Sequence, residues 1–407
     1  MLLKNTCIIL LMLITSKITI AQTKSPLNGD KKLIALADKE LKDAAEQYKY
    51  FGKNIPENLF PRSLKADGAL STSDSRWWCS GFYPGTLAYL YEATGDNELY
   101  NAAVAKLKLL EKEQYNKTTH DLGFMMYCSF GNMNRLKPDP TYNPILINSA
   151  KSLSTRFSPT TGVIRSWDSK KADEFLVIID NMMNLELLTY ATKITGDSSY
   201  YKIAVTHADH TLKNHFRPDY SSFHVIEYNP LNGEVKRKRT QQGTSDASAW
   251  ARGQGWGLYG YTLMYRETKD KKYLHQANQI AKFILNHPNL PTDKVPYWDF
   301  DAPGIPNVPR DASTAALVAS ALLELSTYVP SQQSKTYTDA ATAMIRSLSS
   351  PAYKSTYKAN QGFLLAHSTG NIPEKSEIDV PLTYADYYYV EALLRAKTLA
   401  QGKSLRF

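Results

Sequence analysis

Twelve stretches of helical periodicity, two kinds of helix in alternation, and joints that alternate short and long predict an all-α fold, an (α/α)6 barrel of six helical hairpins. The periodic stretches are 32–50, 81–93, 97–115, 122–132, 141–156, 175–194, 198–216, 248–267, 270–287, 312–327, 334–350 and 382–400, and no segment shows convincing strand alternation. In "DKKYLHQANQIAKFILNH" the apolar positions Tyr273, Leu274, Ala277, Ile280, Ala281, Ile284 and Leu285 form one stripe, the pattern of an outer helix with one wet face. "FLVIIDNMMNLELLTYAT" and "AWARGQGWGLYGYTLMY" are apolar nearly all round, as enclosed helices must be. The joints "ATGDNELY", "ITGDSSYY" and "ETKDKKYL" form a weak repeat in which Gly or Lys ends one helix and Asp caps the next. The return connections 51–80, 157–174, 217–247, 288–311 and 351–381 are long, and in a ring of antiparallel hairpins they all emerge at one end.

The N-terminal "MLLKNTCIILLMLITSKITIAQ" pairs a basic Lys4 with an apolar run too short to span a bilayer and a small residue at Ala21. It reads as a signal peptide over 1–21, followed by a single domain over 22–407, and predicts export to a bacterial periplasm with no membrane contact after cleavage. Cys79 and Cys128 then remain, too few for a disulfide framework and expected as buried free thiols. The formal charge of +9 falls to about +7 once Lys4 and Lys17 leave with the leader, which favours anionic partners; nucleic acid is not expected in that compartment. The run "KRKR", Lys236 to Arg239, reads as a solvated loop in preference to a site for sulfated or carboxylated sugar.

All six tryptophans (Trp77, Trp78, Trp167, Trp250, Trp256 and Trp298) fall in the long connections or in the first turns of the helices after them, so they gather at one end, where they suit stacking on sugar rings. Asp180, directly after "FLVII", is the most unusual residue. Desolvation in an enclosed helix would raise its pKa and make it a general acid, whereas service to helix-terminal amides would lower it; the sequence leaves both open. Asp121, Asp246 and Asp311 precede inner helices and read first as caps. His207, His210 and His215 lack the spacing of a zinc helix, there is no phosphate loop or nucleophile elbow, and no metal or cofactor is expected. A site of carboxylates and aromatics remains, with Arg252 and His224 as polar candidates.

The motifs "WWCSGFYPGTLAYLYEATGD", "HDLGFMMYCSFG", "IIDNMMNLELL", "HVIEYNPLNGEV", "QQGTSDASAWARGQGWGLYGY" and "RDASTAALVASALLEL" resemble those of the unsaturated glucuronyl hydrolases, glycoside hydrolase family 88, over most of the mature chain. The resemblance implies removal of the 4,5-unsaturated uronic acid that polysaccharide lyases leave at a non-reducing end, by hydration of its vinyl ether. It implies Asp180 as the acid that also activates water and Asp121 as the second carboxylate. Trp78, Trp167, His224, Gln242, Trp250, Arg252 and Trp256 are then the substrate-contacting positions, with Arg252 a partner for the uronate carboxylate or a structural ion pair. The segment "AHSTGNIPEKSEIDVPLTYADYY", with His367, Ser368 and Lys375, shows no assignable sulfate-binding pattern. Basic charge points first to an anionic unsaturated oligosaccharide from a sulfated glycosaminoglycan. The alternatives are an unsaturated rhamnogalacturonyl hydrolase, against which "DASAWARGQ" and His224 argue, and a non-catalytic acidic-glycan binder, which has no use for a desolvated Asp180.

Overall fold

The computed structural model describes residues 25–407, so the leader and Cys7 lie outside the described residues. The chain runs α1 (Lys31–Asn54), β1 (Phe60–Leu64), β2 (Leu70–Ser73), α2 (Phe82–Thr94), α3 (Asn97–Leu110) and a π-helix (Gly123–Gly131) that continues into α4 (Asn132–Leu136). There follow α5 (Tyr142–Ser154), β3 (Phe157–Ser158), β4 (Val163–Ile164), β5 (Phe175–Ile178), a 3-10 turn (Ile179–Asn184), α6 (Leu185–Thr195), α7 (Ser198–Asn214), β6 (Val225–Tyr228) and β7 (Val235–Arg239). The last elements are α8 (Ala251–Thr268), α9 (Lys271–Asn286), α10 (Ala312–Leu325), α11 (Ser331–Leu348) and α12 (Thr383–Ala400).

The inner ring closes through α2, the π-helix with α4, α6, α8, α10 and α12, with α12 packed back on α2, and α1, α3, α5, α7, α9 and α11 lie outside. The predicted α/α barrel is therefore the observed fold. Burial follows the two sequence patterns. Every residue of α8 from Ala251 to Met264 is buried, as is all of α10, whereas α9 buries only one stripe that includes Tyr273, Ala277, Ile280 and Ile284. The tight joints form as read: Gly95, Gly196 and Lys269 adopt left-handed geometry, and Asp96, Asp197 and Asp270 accept hydrogen bonds from the amides of Glu98, Ser199 and Lys272.

Four expectations are corrected. Strands exist, all within the long connections: β1 pairs with β2, β3 with β4, and β5, β6 and β7 form one antiparallel sheet. The stretch 175–194 is consequently not one helix, because its first four residues, "FLVI", include an aromatic and two β-branched side chains and pair Phe175 to Ile178 with Tyr228 to Val225. "KRKR" lies on β7, not in a loop, where alternation sends Arg237 and Arg239 to one face and Lys238 to the other, and Lys236 sits at an irregularity in the pairing with β6. Finally, α8 begins at Ala251, too late for Asp246 to cap it; Asp246 instead accepts from the Thr240 amide and from Arg237, each at 2.9 Å. Asp311 does cap α10, through the Ser313 amide at 3.0 Å.

Candidate active site

A cavity of about 530 Å³ opens at the end of the barrel where the long connections meet. Asp180 reaches it from the 3-10 turn that follows β5, so a strand and not a helix delivers the carboxylate. Its Oδ2 has no hydrogen-bond partner, and only 13% of the side chain is exposed. Burial raises its pKa to about 7, with the charge of Asp121 adding and the Arg252 charge, its own backbone amide and the Trp256 indole N–H opposing. The helix-amide reading left open by the sequence thus loses to desolvation.

Asp121 lies across the same cavity, just before the π-helix, and caps nothing with its side chain: Thr119 Oγ1 donates to it at 3.2 Å, and His120 Nε2 is 3.2 Å from its other oxygen. Burial raises Asp121 to about 7 as well, against Thr119, Asn184 and the charge of Arg156. Two carboxyls that both resist ionisation in one cavity can hold a proton at neutral pH and exchange it with a bound molecule.

His224 is neutral for two reasons. Burial and the nearby charges of Arg252 and Arg239 hold its pKa well below the ordinary value. Its Nδ1 accepts the backbone N–H groups of Gln241 and Gln242, both at 3.2 Å, which leaves the proton on Nε2, 3.7 Å from Asp180 Oδ2. The ring stacks on Trp250 at 4.5 Å between centroids and meets the edge of Trp167 at 5.8 Å.

The structure sorts the sequence candidates into two layers. Asp121, Asp180, Trp78, Trp167, Gln242 and Arg252 line the cavity, whereas His224, Trp250 and Trp256 stand behind its wall. Trp256 is fully buried against Phe124 and Tyr388, and its Nε1 finds no acceptor in hydrogen-bond geometry. Arg252 is committed to the scaffold: Nη1 donates to Asp311 Oδ2 at 2.9 Å and to Thr369 O at 2.6 Å, and Nη2 to Gly370 O at 2.7 Å. Of the two readings of Arg252, the structural ion pair is the one observed, and it ties α8 and α10 to the segment before α12.

Sequence reasoning missed Arg62, His120, Glu377 and Tyr384, all of which line the cavity, as do Trp77, expected at this end with the other tryptophans, and Arg239. His120 adjoins Asp121, which was singled out, and adjacency was the available signal. Of the "KRKR" run, read first as a solvated loop and second as a site for an anionic sugar, Arg239 alone lines the cavity. In the segment before α12, Gly370, Asn371, Glu374, Ser376 and Glu377 line the cavity, while His367 is held by Asp379 at 2.7 Å and neither Ser368 nor Lys375 lines it. Cys79 and Cys128 are free thiols, Cys79 buried and Cys128 partly so. Among the described residues no group of His, Cys, Asp and Glu is arranged to hold a metal ion.

A cavity of about 580 Å³ lies at the other end of the barrel, bounded by the C-terminal ends of α2 and α12. Each carboxylate that lines it is paired with an arginine: Glu92 with Arg135, Glu186 with Arg266, and Glu391 with Arg395. The cavity with the unpaired carboxyls is the one suited to chemistry.

Comparison with known proteins agrees with this geometry. Residues 61–267 match the family model Glycosyl Hydrolase Family 88. The chain is 51% identical over 350 residues to an unsaturated glucuronyl hydrolase of Formosa agariphila, covering 85% of this chain and 86% of that protein. It is 32% identical over 369 residues to an unsaturated glucuronyl hydrolase of a Bacillus species, covering 88% and 95%. The crystal structure of an unsaturated glucuronyl hydrolase specific for heparin superposes with a TM-score of 0.87 at 48% identity, covering 89% of this chain and 97% of that one. A mutant unsaturated glucuronyl hydrolase of Streptococcus agalactiae in complex with dGlcA-GalNAc6S superposes with a TM-score of 0.76 at 30% identity, covering 88% and 90%. With the barrel, the cavity and these relatives in agreement, the chain belongs to glycosyl hydrolase family 88, as a hydrolase of the unsaturated glucuronyl hydrolase kind.

Proposed function

We propose that this protein is exported and hydrates the C4=C5 bond of the unsaturated uronic acid at the non-reducing end of glycosaminoglycan-derived oligosaccharides. The observation that carries the chemistry is the pair of buried carboxyls, Asp180 and Asp121, each raised to about 7 by burial. Protonated Asp180 gives its proton to C4, water adds its oxygen to C5, and the proton released by that water returns to Asp180. The resulting hemiketal opens and expels the remaining sugar. No residue forms a covalent bond to the substrate, in contrast to glycosidases that place a carboxylate nucleophile at the anomeric carbon.

The roles of the other residues follow from where they stand. Asp121, in the same cavity, holds the sugar, and once it ionises its charge makes Asp180 harder to ionise. Neutral His224 presents its Nε2–H toward Asp180 and accepts no proton itself. Trp78 and Trp167 form apolar walls that suit a sugar ring and lower the local polarity. The glycosaminoglycan class is supported by the relatives, one of them specific for heparin and one in complex with dGlcA-GalNAc6S. Export rests on the 1–21 segment and is tested by cell fractionation together with N-terminal sequencing of the mature protein; an intact leader in the cytosolic fraction rejects it.

The activity is tested by following the ultraviolet absorbance of the conjugated uronate in unsaturated heparin and chondroitin disaccharides. Wild type is expected to abolish the absorbance. Folded Asp180→Asn, which keeps the shape but has no transferable carboxyl proton, is expected to lose at least about three orders of magnitude in kcat, the scale of a lost general acid–base group. Equal rates for the two proteins would remove Asp180 from the mechanism.

A further inference from the structure

Trp77 lines the cavity but has no part in the reaction above, and its surroundings differ from those of its neighbour Trp78. Trp78 is packed inward, its ring centroid 5.0 Å from Tyr384, 5.5 Å from Phe124 and 5.8 Å from Phe82. It is a wall fixed in the barrel. Trp77, one residue earlier in the turn between β2 and α2, is 39% exposed. Among the described residues it is the one large apolar side chain that is both exposed and part of the cavity. Leaving an indole in water forfeits a large apolar burial, which a ligand that covers it recovers.

The exposed ring is also held in place. The Arg62 guanidinium lies over it, 4.0 Å from the ring centroid. Arg62 Nη2 donates to Glu377 Oε1 at 3.1 Å, and Ser63 Oγ donates to the same oxygen at 3.2 Å. Trp77 is thereby braced by β1 and by the segment before α12, with one face occupied by the guanidinium. A ring fixed before the ligand arrives loses little entropy when it is covered.

Depth in the cavity orders the substrate. Asp180 and Asp121 each expose 13% of their side chains, so the reaction takes place at the closed end. The unsaturated uronate is the terminal sugar and has nothing on its non-reducing side. Every other sugar is joined through its C1 and must run outward to the mouth. Trp78 and Trp167 supply a wall each for the two rings nearest the carboxyls. Trp77, at the open rim, stands where the next ring passes.

We infer that Trp77 is the stacking platform of an outer subsite, which takes the sugar beyond the leaving one and favours unsaturated oligosaccharides longer than a disaccharide. This rests on the proposed uronyl hydrolase reaction. The contact is apolar, and Arg62, the cation over the ring, is spent on Glu377, so the subsite reads length and not charge.

The test compares kcat/KM of wild type, Trp77→Ala and Trp77→Tyr on unsaturated di- and tetrasaccharides that one lyase releases from heparin, and on the same pair from chondroitin, with melting curves alongside. Wild type is expected to prefer the tetrasaccharide by about 3- to 10-fold, the scale of one stacked aromatic contact. The preference should act chiefly through KM, because a contact remote from the reacting bond is equal in the ground and transition states. Trp77→Ala is expected to erase it, and Trp77→Tyr to keep part of it, since a smaller ring still offers a flat face. The wild-type ratio should hold as salt rises, because an apolar contact is not screened. A ratio that Trp77→Ala leaves unchanged overturns the assignment, a parallel loss on both lengths included, as does a wild type with no preference for the longer substrate. A preference that collapses in salt overturns it in favour of a charge contact by Arg62. If wild type consumes neither length from either polymer, nor any other lyase product, the hydrolase reading itself fails, which separates the two conclusions.

Discussion

Asp180 and Asp121 couple activity to stability with a definite sign. Each binds its proton up to about pH 7 in the folded chain, whereas an unfolded aspartate releases it near the ordinary value of 3.8. Between roughly pH 4 and 7 the folded state therefore holds more protons than the unfolded one, and stability contributed by these sites falls as pH rises through that window. Asp180→Asn is neutral at every pH and should raise the melting temperature at pH 8, by an amount equivalent to about 2 to 4 kcal/mol for a shift of this size, with the gain vanishing near pH 4. Calorimetry at the two pH values checks this; a variant less stable at pH 8 would mean that the ionised carboxylate is the form the fold needs. The alkaline limb of kcat/KM should follow the titration of the pair. Because the charge of Asp121 raises Asp180, folded Asp121→Asn should move that limb to lower pH.

The elements around the site are held in place by close backbone approach. A Cβ on Gly260 of α8 would stand 2.4 Å from the Cβ of Met182, in the 3-10 turn that carries Asp180. Met182 meets it with the root of its side chain, which cannot swing away. Gly260→Ala should cost about 1 to 3 kcal/mol and displace the turn, lowering kcat more than it raises KM. Parallel measurement of melting and kinetics decides: a destabilised variant with unchanged kcat would show that α8 can shift without moving Asp180. Strand β5 sets the other side of the same turn. Its pairing with β6 also brings His224, one residue before β6, next to Asp180: the Ile179 amide donates to the His224 carbonyl at 3.0 Å.

Over the whole molecule, one end of the barrel is built for chemistry and the other for cohesion. At the far end Arg395 bonds Ser320 O, Tyr259 and Glu391 and pairs with Glu324, all of them buried. Arg395→Met should destabilise by about 3 to 5 kcal/mol, because it strands buried carboxylates without a counter-charge. Folded Arg395→Met should keep the wild-type KM; a changed KM would show that the two ends are coupled through the inner helices.

How much of this could be read from the residues depends on whether the governing force is local. Helix periodicity, the Gly–Asp joints and the enclosed helices follow from side-chain pattern and capping within a few residues, so the barrel was legible, as was Asp180 as an anomaly in an apolar run. Strand β5 was not, because an apolar run shorter than two helical turns carries no period of its own, and only its partner β6, some fifty residues on, decides it. For the same reason "KRKR" passed for a loop until pairing with β6 gave it two faces. Asp246 was misjudged, and the two readings of Arg252 stayed open, because the partner of each lies outside its own stretch. Sequence alone determined the ring of helical hairpins and the end at which chemistry gathers, since both follow from short-range periodicity and loop length. The tertiary structure alone decided which carboxyls lose their water and which arginines are paired, since desolvation and ion pairing are properties of what surrounds a residue in space.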